Sequence, residues 1–478
     1  MLFNSIDFAI FLPIVFFLYW FVINKNLKAQ NILLIVASYI FYGWWDWRFL
    51  SLLICSSFVD YIVGIGLSKT DKKQTRKLLL LTSIFVNLGL LGFFKYYNFF
   101  LETFVEAFSF FGHSINPHGL NIVLPIGISF YTFQTLSYSI DVYKRKFEPT
   151  KDIFAFFAFV SFFPQLVAGP IERAKNLLPQ FYKKRVFEYD KAIDGMRQIL
   201  WGLFKKIVIA DNCAIYVNDI FENYFSCSGS TLLLGAILFS FQIYGDFSGY
   251  SDIAIGASRL FGFRLKRNFA YPFFSRDMSE FWRKWHISLF SWFRDFIFVP
   301  LGGRFSKPWI RVRNIFIVFI LSGLWHGAAW TFIIWGILNA ICIVPDILRN
   351  KRRQGTKIVA EGRLLPKPKE LFQMLTTFLI FSFTLVIFRS ESIYDSIQYI
   401  RRIFSISLFS LPEVFPKNVI VLIALFILAE WLQRDKQHAL QFDDVALPII
   451  VRWGLYYGII WTVFYFGGHQ QKFIYFQF

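Results

Sequence analysis

The chain has 478 residues, of which 56% are apolar, 21% aromatic and only 17% charged, with 64 Phe and a formal charge of +19. Soluble domains run at about 45–50% apolar and about 25% charged, so this composition excludes an ordinary soluble enzyme and points to repeated membrane crossing. The positive charge does not indicate nucleic acid, because Lys and Arg cluster in the links between apolar runs and no basic–aromatic binding module occurs.

The first apolar run, 8–23, lacks a basic leader and a small-residue cleavage site, so it reads as a retained span. Lys25 and Lys28 place its far end in the cytoplasm. Runs 31–43 and 49–67 meet at Trp44, Trp45 and Trp47, an expected interfacial belt, and the basic loop 69–77 is again cytoplasmic. Run 78–97 crosses outward. Segment 98–119 has Glu102 and Glu106 but no Lys or Arg, and is read as external and partly interfacial. His113 and His118 lie there without the i, i+4 spacing of one helical face, so no metal site is expected.

Run 121–141 returns inward with Pro125, Gly127 and a polar line of Ser129, Thr132, Gln134, Ser137 and Ser139. That line fits either helix–helix hydrogen bonding or a cavity wall. Segments 144–146 and 173–206 are both basic and hence both inside, so the apolar stretch 153–169 between them is expected to be re-entrant. Run 200–213 crosses outward with Lys205 and Lys206 near its start, and 211–231 is external. Run 232–260 carries Asp246, Ser248, Tyr250, Ser251 and Asp252. Arg259, seven residues beyond Asp252 and on its face, is that acid's expected partner; Asp246 has none assigned.

After the basic segment 264–284, Trp282, Trp285, Leu289, Trp292, Phe293 and Phe296 recur at helical period. One amphipathic helix is expected at the inner interface, with His286 at the edge of its apolar arc and Arg283, Lys284 and Arg294 nearby. Residues 314–348 are apolar between two basic segments, so they must go out and back, turning near 327–331 with His326 at the apex. Counted this way each arm is short for a full span at about 1.5 Å per residue. Runs 371–388, 420–432 and 449–466 complete the chain, with 389–417 external and interfacial. The expectation is an all-α integral membrane protein of about 11–12 transmembrane helices plus re-entrant and interfacial helices. It reads as a single polytopic domain, 1–478, with its core at about 121–345 and no internal repeat. Cys55, Cys213, Cys227 and Cys342 show no metal spacing; a disulfide between Cys213 and Cys227 stays open.

The six histidines are His113, His118, His286, His326, His438 and His469. His326, inside an apolar run, is the strongest candidate for chemistry, since an imidazole is the usual proton acceptor near neutral pH. Gly323 and Gly327 flank it without side chains and would let substrate approach. The competing reading is a hydrogen-bonded core histidine. No GxSxG or HExxH occurs, which favours direct transfer with no serine nucleophile and no metal.

Five stretches carry a resemblance: LPIGISFYTFQTLSYSIDVY (124–143), FFPQLVAGPIERAKNLLPQF (162–181), DFSGYSDIAIGASRLFGF (246–263), FWRKWHISLFSWFRDFIFVPLGG (281–303) and SGLWHGAAWTFIIWG (322–336). In this order the chain resembles the membrane-bound O-acyltransferase family, in the branch that O-acetylates alginate, peptidoglycan and other polysaccharides. The teichoic acid D-alanyl transferases are cousins. The resemblance implies that His326 is catalytic and His286 its companion toward the cytoplasm. It implies no bound cofactor and an acyl thioester donor such as acetyl-coenzyme A at the cytoplasmic face. It further implies an extracytoplasmic polysaccharide acceptor, an SGNH-type acyltransferase partner, and a multi-pass place in the lipid of the inner membrane. Two departures stand out: Asn339 and Ala340 where the family often has His-Gly, and Gly245 where an aromatic is expected before DFSGYSD. D-alanyl transfer remains the alternative among enzymes. A transporter is the alternative outside them, although transporters often show inverted repeats.

Overall fold

A computed structural model describes residues 1–110, 119–120, 122–349, 358–442, 447–468, 471 and 473–474. His113, His118 and His469 lie outside the described residues. The described chain is helical with no strand, and it divides into two units.

The first unit is residues 1–192 and 257–266. It holds α1 (Ile6–Phe17), α2 (Leu27–Asp46), α3 (Leu50–Ser68), α4 (Lys73–Leu91), α5 (Tyr97–Phe110), α6 (Ile128–Tyr143), α7 (Ile153–Ser161), α8 (Phe163–Leu166) and α9 (Ala174–Leu177). Side-chain caps start several of them: Asn26 accepts from the Ala29 amide before α2, and Asp152 from Phe154 and Ala155 before α7. The stretch expected to be re-entrant is α7 and α8, nine and four residues long, broken at Phe162. Neither reaches the roughly 20 residues a span requires.

Two members of the polar line of α6, Gln134 and Ser139, bond to other helices, while Ser137 bonds within α6 to the Gln134 carbonyl. Ser139 and Ser83 donate to the buried Asp60 of α3, and Asn87 Nδ2 donates to its other oxygen at 2.7 Å. Thr135 donates to Asn87 at 3.1 Å, and Gln134 to the Phe159 carbonyl at 2.8 Å. Interhelical bonds of this kind hold α3, α4 and α6 together where apolar contact alone gives no preference over lipid.

The second unit is residues 193–256 and 267–478. Its helices are most of α10 (Tyr189–Leu203) and of α12 (Gly229–Leu260), with α11 (Asp211–Glu222), α13 (Met278–Lys284), α14 (Ile287–Phe293), α15 (Pro308–His326), α16 (Trp330–Leu348), α17 (Pro368–Arg389), α18 (Ile393–Ile403), α19 (Lys417–Leu432) and α20 (Ile449–Phe466). A π-helical stretch, Phe204–Ala210, joins α10 to α11. Lys205 and Lys206, expected near the start of an outward span, are 3% and 6% exposed and turn into the helix core. Gly245 has its reason in the same place. A Cβ there would lie 2.8 Å from the Lys205 carbonyl oxygen, so an aromatic has no room. Cys213 and Cys227 are free thiols.

Among the described residues, seven helical stretches are long and apolar enough to cross a membrane, and one of them, Leu27–Ser68, contains both α2 and α3. The expected eleven or twelve crossings included shorter helices, such as Ile6–Val22, α6 and α19, that fall below that length.

Candidate functional site

The first candidate histidine sits at a break. Asp277 caps α13, its carboxylate accepting from the Glu280 amide at 2.7 Å. Glu280 then takes Arg276 at 3.0 Å and Lys284 at 2.9 Å, bridging the start and the end of this short helix. At Trp285 the chain becomes extended, and His286 adopts φ 44°, ψ 50° before α14 begins. The single amphipathic helix expected across this region is therefore two short helices followed by a π-helical turn, Arg294–Phe298.

The segment before α13 enforces the break. The Ala270 amide donates to the Lys284 carbonyl and the Ile287 amide to the Asn268 carbonyl, both at 2.9 Å. Asn268 Oδ1 accepts from the Ser288 amide at 3.1 Å and the Ser288 hydroxyl at 2.9 Å. Its Nδ2 donates to Ser251 at 3.3 Å. Left-handed backbone costs a residue with a side chain roughly 1–2 kcal/mol, and it persists where neighbours over-determine it. His286 is fully buried, not at the edge of an interfacial helix. Its ring lies 4.6 Å from Phe247, 5.5 Å from Trp325 and 6.4 Å from Phe269.

The second candidate, His326, is the last residue of α15. Gly327, Ala328 and Ala329 make the turn into α16, where the sequence placed it. The arms are longer than the apolar pattern indicated: α15 begins at Pro308 and takes Arg311 and Arg313 into its first turns, giving nineteen residues in each arm. His326 is 4% exposed, with Trp325, Trp335 and Phe388 rings at 5.0, 5.2 and 5.4 Å, all nearly perpendicular to it. Trp325 thus stands edge-on to both imidazoles, and the two histidines, forty residues apart in sequence, share one indole.

The flanking glycines do not open space for substrate. A Cβ on Gly327 would meet the Phe332 ring at 2.0 Å, and one on Gly323 would meet the Phe332 carbonyl oxygen at 2.2 Å. Their smallness lets α15 and α16 pack closely behind His326. Asn339 is buried and donates to the Trp335 carbonyl, 2.8 Å away on its own helix. Its Oδ1, with Ser322 Oγ and the indole nitrogens of Trp282 and Trp335, has no hydrogen-bond partner among the described residues.

A cleft of about 310 Å³ adjoins this centre, lined by Trp282, Arg283, Ile287, Phe290, Arg294 and Phe319 among others. Trp282 forms part of its wall, and that ring lies 5.6 Å from Trp335, which in turn touches His326. The volume is at the lower end of the range of small-molecule sites. Its lining is mostly apolar, with two guanidinium groups.

The acids of DFSGYSD are paired from α10 and the π-helical stretch. Asp252 takes Lys205 at 2.5 Å and Gln198 at 2.8 Å, where the sequence pattern pointed to Arg259. Asp246 takes Lys206 at 2.8 Å, and Lys206 also reaches Asp211 at 2.7 Å. Asn268, Phe247 and the two lysines are contributors that the sequence reading missed. Two adjacent lysines inside one apolar run, and two acids inside another, were the available signal.

Residues 39–388 match the model of the membrane-bound O-acyltransferase family. A probable alginate O-acetylase AlgI of Pseudomonas aeruginosa is 37% identical over 423 residues, covering 88% of this chain and 78% of the relative. A peptidoglycan O-acetyltransferase of Helicobacter pylori is 36% identical over 72% of this chain and 70% of its own length. A teichoic acid D-alanyltransferase of Bacillus subtilis is 31% identical, over 47% of this chain and 59% of its own.

Proposed function

Because the chain belongs to the membrane-bound O-acyltransferase family, a family of multi-pass acyl-transferring enzymes, we propose that it O-acetylates a polysaccharide, alginate-like or peptidoglycan. The acetyl group comes from a thioester at the cytoplasmic face, acetyl-coenzyme A or a carrier-bound equivalent. It passes through the inner membrane toward the extracytoplasmic acceptor, with an SGNH-type acyltransferase as the finishing partner. The observation that carries the reading is the convergence of His286 and His326 on Trp325, inside an aromatic shell beside a cleft with two arginines.

The chemistry follows from that arrangement. An acceptor hydroxyl attacks the thioester carbonyl while His326 takes its proton. The tetrahedral intermediate collapses, the C–S bond breaks, and the leaving sulfur takes the proton back from the imidazolium. Atoms and charge balance without a metal or a covalent enzyme intermediate. The aromatic shell keeps water from competing with the hydroxyl. Arg283 on the cleft suits a phosphate of a coenzyme A-like donor, since guanidinium binds phosphate in a fork, while Arg294 beside it is paired with Asp295 at 2.7 Å. His286 serves the donor side. The acetyl reading is favoured over D-alanyl because the O-acetylating relatives align over far more of the chain.

His326→Ala and His326→Gln test the assignment at matched membrane abundance. The readouts are alkali-released acetate from the cell's polysaccharide and label transfer from radioactive acetyl-coenzyme A in proteoliposomes. Loss of a general base lowers the rate by roughly 10²–10⁴-fold. Gln retains hydrogen bonding without basicity and is expected to stay as slow as Ala. Wild-type transfer by His326→Ala ends the catalytic assignment, and wild-type protein that never transfers label favours a transporter.

A further inference from the structure

Near the end of the described chain, Phe473 and Ile474 lie in the interior of the second unit, with Gln471 half-buried beside them. Phe473 and Ile474 are 2% and 1% exposed. The Ile474 amide donates to Asp246 Oδ2 at 2.6 Å, and the Gln471 carbonyl accepts from Lys206 Nζ at 3.2 Å. The acid and the lysine that hold this backbone are paired with each other at 2.8 Å. Buried ions cost several kcal/mol each to desolvate and are tolerated when further hydrogen bonds satisfy them. Ile474 and Gln471 supply such bonds, one to each.

The side chains continue the path. Asp246, Phe247 and Tyr250 lie close together along α12. The Phe473 ring is 4.9 Å from Tyr250 and 6.3 Å from Phe247. Phe247 stands edge-on to His286 at 4.6 Å. One side of the His286 imidazole is therefore walled by a ring that is itself backed by Phe473. Asn268 fixes the backbone of the break from the other direction.

We propose that Gln471, Phe473 and Ile474 form an internal latch that sets the position of His286. Phe473 is a positioning residue acting through Phe247, and Asp246 with Lys206 is the clamp. The proposal rests on the reading of His286 as part of the acyl-transfer site. Misplacing a reacting group by about 1 Å can cost on the order of 10²-fold in rate. Phe473→Ala is expected to lower per-molecule acyl transfer by about 10–100-fold at matched abundance, with Phe473→Leu recovering most of it. Asp246→Asn, which can still accept from Ile474 but weakens the tie to Lys206, is expected to fall between them.

The deciding experiment is hydrogen exchange on the full-length protein in detergent, run beside the acetate-release assay. Faster exchange at 285–288 in Phe473→Ala, with α15 and α16 unchanged, together with the lowered per-molecule rate, supports the latch. Unchanged exchange at 285–288, or a rate that follows protein abundance alone, overturns it. If Phe473→Ala does not accumulate, Phe473→Leu and Asp246→Asn are read by the same two criteria. Full transfer by His286→Ala would instead remove the functional reading of that histidine. Exchange at 285–288 would then still decide whether the latch holds the break.

Discussion

The position of His326 depends on how closely α15 and α16 approach, and Gly323→Ala perturbs that approach directly. A methyl group at Gly323 would lie 2.2 Å from the Phe332 carbonyl oxygen and 2.9 Å from its carbon, against 3.4–4 Å for ordinary contact. A backbone carbonyl within a helix cannot turn aside, so the helices must part by about 1 Å. Overpacking of this kind costs about 1–3 kcal/mol. His326 is three residues further along the same helix, so the displacement reaches it nearly undiminished. A shift of about 1 Å in a reacting group corresponds to roughly a 10²-fold loss in rate. Gly336→Ala opens the same seam from the other side, its methyl 2.3 Å from the Phe319 carbonyl oxygen. Gly454→Ala in α20, where nothing lies within 4 Å, is the control and should leave the rate unchanged. Alkali-released acetate at matched abundance measures transfer, and thermal unfolding in detergent measures stability. Wild-type transfer by Gly323→Ala, in a protein that unfolds at the wild-type temperature, would refute the claim that this seam positions His326.

Asn268→Ala removes the acceptor of two Ser288 hydrogen bonds, leaving buried donors that cost about 1–3 kcal/mol each when unmet. Its unfolding temperature and its acetate release should therefore both fall well below those of Ser288→Ala, which keeps the amide bond to Asn268. Glu413, in the loop between α18 and α19, is held at about 2 by hydrogen bonds from the Ser228 and Thr231 hydroxyls. Its folded value is depressed, so its contribution is present above the ordinary Glu value near 4.3 and is lost as pH falls toward about 2. Amide protection factors across 404–416 should fall over that interval in the wild type, and lose this dependence in Glu413→Gln.

The all-α character and the turn after His326 were legible in the sequence, because each rests on local signals. An apolar run flanked by basic segments must reverse direction, and its turn falls where small residues gather, at Gly327–Ala329. The break at His286 was not legible. Aromatic residues continue at helical spacing straight through it, since rings on both sides pack into the same interior. Positive φ announces itself in a sequence when the residue is Gly. Here it falls on a histidine, and the cause is Asn268, eighteen positions earlier and in a segment that looked like a basic loop.

The lengths of α15 and α16 were misjudged for a related reason. Arg311 and Arg313 were counted as loop because they are charged, yet long cationic side chains let a helix continue while their heads reach toward polar surroundings. Lys205 and Lys206 show the opposite failure of charge counting. The positive-inside rule treats a lysine as a marker of the aqueous side, which holds when nothing inside the protein answers its charge. In this chain Asp252 and Asp246 answer both. Two cations in one apolar stretch and two anions in another are each costly alone, and together they predict a pairing between the elements that carry them. That pairing brings Phe247, which lies beside Asp246 in sequence, against His286. The acids of DFSGYSD therefore bear on the surroundings of His286 through the position of α12.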